Sequence, residues 1–273
     1  MAKRLESPSS INTFKQCKRK YYYQYVEKLP TGSSIHLVRG NIAHSVLEDY
    51  YDIDLSEINE ENYANKFRVV VQKLLLHHWN KEKARLDELG LSKDRLMFYF
   101  EETMLMIMNW TTQFIEEITK EIKTKNLSVQ DSFVSLTPVR ELEYRSDQHS
   151  VRGFIDAIQY VGDEVHIIDY KTNARFDIKD SIKLQLAIYS LLYFEKHGKK
   201  PSKLGIYFIR HKLKFINFED ELIELAKREI ELIHAHTSIT ERISDYHRTI
   251  TPLCKWRTGQ CDFYETCKPH GQL

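Results

Sequence analysis

Gly153-Phe-Ile-Asp156-Ala-Ile-Gln-Tyr-Val161-Gly162-Asp163-Glu164-Val-His-Ile-Ile-Asp169-Tyr170-Lys171 reads as a β-hairpin. Apolar runs flank Gly162-Asp163, a pair suited to a tight two-residue turn. With those two residues as the turn, Val161 pairs with Glu164, and Asp156 falls directly opposite Asp169. Side chains alternate along a strand, so Asp169 and Lys171 share a face. Two carboxylates and an ammonium then meet inside an apolar hairpin. Like charges placed opposite each other destabilise a sheet; a divalent cation between them removes the conflict.

Outward from the hairpin, residues about 133–145 read as extended. Ile178 to His197 reads as a helix stopped by Gly198 and Pro201. Leu204 to Ile209 reads as a buried strand, Lys214–Phe218 as a short edge strand, and Glu219 to about Tyr246 as an amphipathic helix. This order predicts an α/β core with a central mixed sheet flanked by helices. Towards the N-terminus, a helix is expected from Ser9 or Ser10, as N-cap, through about Val26. A second is expected from about Arg39-Gly40 to Tyr51. Residues 58–125 show helical spacing broken near Gly90, without strand signals. The expected division is N-terminal helices over 1–54, a helical insertion over 55–130, the α/β core over 131–250 and a cysteine-rich tail over 251–273.

The 273 residues include 16 Tyr, 13 Phe and 3 Trp but only 9 Gly and 6 Pro, the composition of a packed globular protein. The opening Met-Ala-Lys-Arg-Leu-Glu-Ser-Pro has no apolar core, so no secretory signal is expected. No uncharged apolar run approaches the ~20 residues of a membrane span. A soluble, intracellular, cytoplasmic protein is expected. Net charge is +1, yet residues 1–30 carry Lys3, Arg4, Lys15, Lys18, Arg19, Lys20 and Lys28 against Glu6 and Glu27. Phe14, Tyr21, Tyr22, Tyr23 and Tyr25 interleave with them. Such a segment suits phosphate tracking and base stacking, or equally a solvated face beside a tyrosine-rich core face. No P-loop motif occurs, which excludes a helicase of that type.

Several motifs together resemble the PD-(D/E)XK nuclease superfamily, specifically its RecB-like branch. That branch includes the CRISPR-associated iron–sulfur exonucleases and AddAB-type nuclease domains. The resemblance rests on Ser9-Ser10-Ile11-x-x-Phe14-x-x-Cys17 with Tyr21–Tyr25, on Gly40-x-x-x-His44, on Gly153-x-x-Asp156 and Asp169-x-Lys171, on Gln185-x-x-x-Tyr189, and on Cys254, Cys261 and Cys267. Phe154-Ile155 precede Asp156, so the literal Pro-Asp is absent; Gly-x-x-Asp is common in the branch. The resemblance implies a restriction-endonuclease-like fold and a metal-dependent DNA nuclease, expected to be an exonuclease on single-stranded ends.

Asp156 and Asp169 offer hard oxygens suited to Mg²⁺ or Mn²⁺, and the Tyr170 carbonyl can add another. The resemblance makes His44 a metal ligand, with Glu48 one turn along the same helix face. It makes Lys171 the electrostatic and water-orienting group, and Gln185 and Tyr189 site-lining residues. Glu141 or Glu143 can add a carboxylate from the preceding strand.

Cys17 and the C-x6-C-x5-C run of Cys254, Cys261 and Cys267 form a second constellation. Intracellular chains seldom keep disulfides, and the spacing is unlike that of zinc ribbons. Four thiolates suit a [4Fe–4S] cluster, which the resemblance also implies, with zinc as the runner-up. Lys255, Trp256, Arg257 and Lys268 lie beside these cysteines. DNA is the expected partner, with a helicase or CRISPR-adaptation protein as a possible second one. A DNA-binding accessory protein of such a complex, inactive alone, is the alternative reading.

Overall fold

The computed structural model describes residues 3–256 and 259–267. Helix α1 (Pro8–Gln16) and the short α2 (Lys18–Tyr21) run into a π-helical turn (Tyr22–Val26), followed by α3 (Ile35–Tyr50), α4 (Tyr63–Lys81), α5 (Lys83–Asp87), α6 (Lys93–Lys125) and α7 (Val129–Leu136). Strands β1 (Val139–Ser146), β2 (Val151–Val161) and β3 (Glu164–Lys171) follow. Helix α8 (Asp180–His197) leads to β4 (Lys203–Phe208), β5 (Leu213–Asn217) and α9 (Asp220–Thr237). The tail holds a two-stranded ribbon of β6 (Lys255–Trp256) and β7 (Gly259–Gln260), then α10 (Tyr264–Cys267).

The sheet has the order β1-β2-β3-β4-β5. It is mixed because β3 and β4 pair in parallel while the other neighbours are antiparallel. A parallel return requires a crossover, and α8 supplies it. The β2–β3 hairpin has the expected register, with Val161 opposite Glu164. Gly162 has φ 58° and Asp163 does not share the positive sign, which fits a turn with glycine at its first central position.

Alternation along the strands feeds two cores. Val165, Ile167, Leu204, Ile206 and Phe208 pack with α1, α8 and α9; Ile168, Tyr170 and Ile209 pack with α3, α4, α6 and α7. The sheet is therefore covered on both faces, and the helices of residues 63–136 share a core with it. Glu102 on α6 ties this layer together. Its carboxylate meets Arg39 on α3 at 2.6 Å and Arg210, in the β4–β5 turn, at 3.1 Å. Those guanidiniums hold the Glu102 carboxyl down to about 2.

Several boundaries differ from expectation. The N-cap of α1 is Ser7, in a reciprocal capping box with Ser10. The first helix does not run unbroken to Val26: Cys17 is extended, at φ −162° and ψ 112°. Helix α3 starts at Ile35 because the Ser34 hydroxyl accepts from the Leu37 N–H. Residues 133–136 belong to α7. The charged helix α9 stops at Thr237. Tyr21, Tyr22 and Tyr23 are buried, so they are core residues and offer no faces to bases.

Candidate active site

Three acids line up across three adjacent strands. The β1–β2 ladder pairs Arg140 with Ala157 and Leu142 with Ile155, which puts Glu141 across from Asp156. The β2–β3 ladder ends with Ala157 paired to Ile168, which puts Asp156 across from Asp169 one step on. At that step the Asp156 side chain takes over from the ladder: its Oδ2 accepts the Tyr170 backbone N–H at 2.7 Å. Glu141 adopts φ 46°, a left-handed conformation that costs an extended non-glycine residue about 1–3 kcal/mol.

Helix α3 brings His44 over the row. Its Nδ1 lies 3.6 Å from Asp156 Oδ2 and 4.0 Å from Glu141 Oε1. One ligand atom from each of His44, Glu141 and Asp156 falls within 4.8 Å of the others, a spacing one ion can bridge. Burial raises the Glu141 carboxyl to about 7, with the Asp156 charge adding to it. Burial likewise raises Asp156 to about 8, with Asp169 as the main neighbouring charge. Burial lowers His44, leaving a neutral imidazole able to ligate. Crowded acids that resist ionisation, beside a neutral imidazole, form a donor set that a divalent cation satisfies.

Asp169 is 1% exposed, and neither of its oxygens accepts a hydrogen bond of good geometry, although Lys171 Nζ lies 2.7 Å from Oδ2. Its Oδ2 is thus ion-paired with Lys171, and its Oδ1 is left as a buried acceptor that a cation at the site would satisfy. Lys171 donates to Gln185 Oε1 at 2.9 Å, and Gln185 Nε2 donates to the Tyr189 hydroxyl at 2.8 Å. Gln185 and Tyr189, one turn apart on α8, thus fix the ammonium. Tyr189 packs where Gly153 has no side chain: a Cβ there would lie 2.9 Å from the ring.

The structure thus brings together His44, Asp156, Asp169, Lys171, Gln185 and Tyr189, with the Tyr170 backbone between them. Glu141 joins them, whereas Glu143 pairs outward with Arg152 at 3.1 Å.

Cys17, Cys254, Cys261 and Cys267 all line a cavity of about 370 Å³ away from the acidic row, with Arg19, Lys20 and Arg248 also at its wall. The Thr249 N–H donates to Cys17 Sγ at 3.4 Å, joining the first helices to the tail. Burial pushes the Cys261 and Cys267 thiols up, against the pull of Lys20 on the first and Arg248 on the second. A single zinc ion with bonds near 2.3 Å holds its sulfurs about 3.8 Å apart. Among the described residues no three cysteine sulfurs approach within 4.8 Å. Arg257 and Lys268 lie outside the described residues. Trp256 is exposed, and the Lys255 ammonium sits 5.3 Å from the Tyr264 ring centre.

A model of the PD-(D/E)XK nuclease superfamily matches residues 6–268. This chain belongs to that superfamily. Gene 69 protein of Mycobacterium phage L5 is 25% identical over 233 residues, covering 76% of this chain and 77% of that protein. The crystal structure of a "Putative exonuclease" from Eubacterium rectale overlays with a TM-score of 0.51 at 11% identity, over 99% of this chain and 89% of that one. That likeness speaks to the fold, which is restriction-endonuclease-like. Nucleases of the superfamily use divalent metals, and His44, Glu141 and Asp156 offer ligand atoms close enough together that they could hold one. No helix among the described residues is long and apolar enough to cross a membrane.

Proposed function

We propose that this chain is a Mg²⁺- or Mn²⁺-dependent deoxyribonuclease of the RecB-like branch, acting as an exonuclease on single-stranded ends. The observation that carries the reading is the Glu141–Asp156–Asp169 row with His44 above it. His44, Glu141 and Asp156 would hold the metal, with Asp169 and the Tyr170 carbonyl as further donors. When bound, the metal supplies Lewis acidity and an activated water.

The chain's own groups do the rest. Lys171 stands beside Asp169 with its ammonium directed by Gln185, so its charge is already oriented for a phosphate oxygen that gains negative charge. Tyr189 keeps Gln185 from rotating away. Low exposure of Asp156 and Asp169 strengthens these interactions by excluding water.

We assign the cysteine cavity to a [4Fe–4S] cluster bound by Cys17, Cys254, Cys261 and Cys267. The convergence of all four cysteines on one cavity supports a bound group there, with zinc as the runner-up. Its role in this reading is structural, joining the first helices to the tail, and it leaves room for a helicase or CRISPR-adaptation protein as partner.

The test is digestion of end-labelled single-stranded DNA by anaerobically purified protein, with Mn²⁺, Mg²⁺ or EDTA. The parent is expected to shorten the strand with either metal and not in EDTA. Asp169→Ala and Lys171→Ala are expected to lose at least about 10²-fold in rate, the scale of removing one charge-stabilising group. Equal cutting by parent and both variants would falsify the assignment.

A further inference from the structure

We infer that Phe176 is a base-stacking residue for the nucleic acid strand that enters the site. This rests on the nuclease reading above and adds a substrate contact to it. After Lys171 the chain leaves the sheet and runs through residues 172–179 before α8. Within this segment Phe176 is 36% exposed, although its ring lies 5.1 Å from Phe208 and 5.2 Å from His211. Phe208 is paired with Lys171 in the parallel β3–β4 ladder. Paired residues point to the same face one strand spacing apart, about 5 Å. The Phe176 ring therefore caps the sheet on the Lys171 side, beside the acidic row.

The surroundings hold this ring in place. Asn109 donates to the Ile209 and His211 carbonyls, each at 2.9 Å, and Gln113 donates to the His211 carbonyl at 2.8 Å. Arg210 donates to the Thr172 carbonyl at 3.1 Å, and His211 Nε2 donates to the Ala174 carbonyl at 2.9 Å. Helix α6, the β4–β5 turn and the segment after β3 are thus tied together. One cation lies at the ring, with Lys214 Nζ 5.4 Å from its centre; Arg175 and Lys179 are exposed in the same segment, against Asp177 and Asp180, and Lys212 is exposed next to His211. An anchored aromatic with an exposed part, Lys214 at its ring and the proposed nuclease site alongside offers a base its stacking partner and the backbone a countercharge.

A purely structural reading makes Phe176 a cover for Phe208, which is fully buried. Phe176→Leu separates the two, since leucine keeps apolar cover and lacks a stacking face. Binding is measured by fluorescence anisotropy in Ca²⁺, using a short thymidine oligonucleotide and the same backbone with every base removed. Stacking one base is worth about 1–3 kcal/mol, so Phe176→Leu is expected to bind the thymidine strand about five- to 150-fold more weakly. Its affinity for the abasic strand is expected to match the parent's. An equal loss on both strands, or no loss on either, overturns the inference. Cleavage by the parent in Mn²⁺ reports separately on the nuclease reading. A base-dependent loss in a protein that cuts nothing would contradict that reading and leave the stacking role standing.

Discussion

Asp156 sits between two other acids, and its environment makes its charge costly. Burial first, then Asp169, lifts its carboxyl to about 8; burial first, then Asp156, lifts Glu141 to about 7. Both folded values exceed those of free carboxyls, so the folded chain binds more protons than the unfolded chain up to about pH 8. Stability from this source is full below the free-carboxyl range and falls as pH rises through the folded values. His44 is shifted down by burial and opposes this trend only below about pH 6.5, where the unfolded imidazole takes up protons. The melting temperature of metal-free protein is therefore expected to fall by several degrees between about pH 7 and pH 9. Mn²⁺ is expected to reverse the fall, and Asp156→Asn to flatten it. Calorimetric scans across that range check this, and a metal-free parent with a flat profile would contradict the electrostatic picture.

At the scale of elements, the hairpin and α8 form one device. Tyr189 reaches Lys171 through Gln185 only because Gly153 leaves room for its ring. Gly153→Ala is expected to displace Tyr189 and cost about 1–3 kcal/mol of stability by overpacking. It is also expected to lower kcat more than it raises KM. Parent-like melting and turnover would show that the ring moves aside at no cost.

The hairpin was legible because a two-residue turn and a period of two fix register without further knowledge, and the register brings two acids together. The mixed sheet was legible because a helix-length segment separates two apolar runs, and the structure adds which strands pair in parallel, β3 with β4. Other features were not. Glu141 and Glu143 share a face by simple alternation; the left-handed backbone at Glu141 and the Arg152 ion pair of Glu143 distinguish them, and no residue type announces either. The break at Cys17 carries no proline or glycine. Phe176 reads as one aromatic in a polar loop until the fold places Phe208 beneath it and His211 beside it.

Across the whole molecule, the two ends of the chain meet. Arg19 donates to the Tyr246 carbonyl at 2.8 Å, and Cys17 accepts from Thr249, so the first helices are joined to the segment entering the tail. The cysteine cavity lies at this junction, and a bound group would cross-link residues more than 200 positions apart. Cys261→Ser is expected to remove the visible absorbance of anaerobically purified protein, lower its iron content and lower its melting temperature. Tail residues should then become more open to protease. Iron content equal to the parent's would rule out this ligand set.

The acidic row remains the centre of the account, and its claim concerns a metal before it concerns a substrate. Titration of Mn²⁺ into the metal-free protein, followed by the loss of the free-ion EPR signal, tests it without DNA. The parent is expected to bind Mn²⁺, with Asp156→Asn and Glu141→Gln each weakening that binding at least about tenfold, since each removes the negative charge of one of the three converging ligands. Equal binding by all three proteins, each folded as judged by circular dichroism, would contradict the assignment of this row as the metal site.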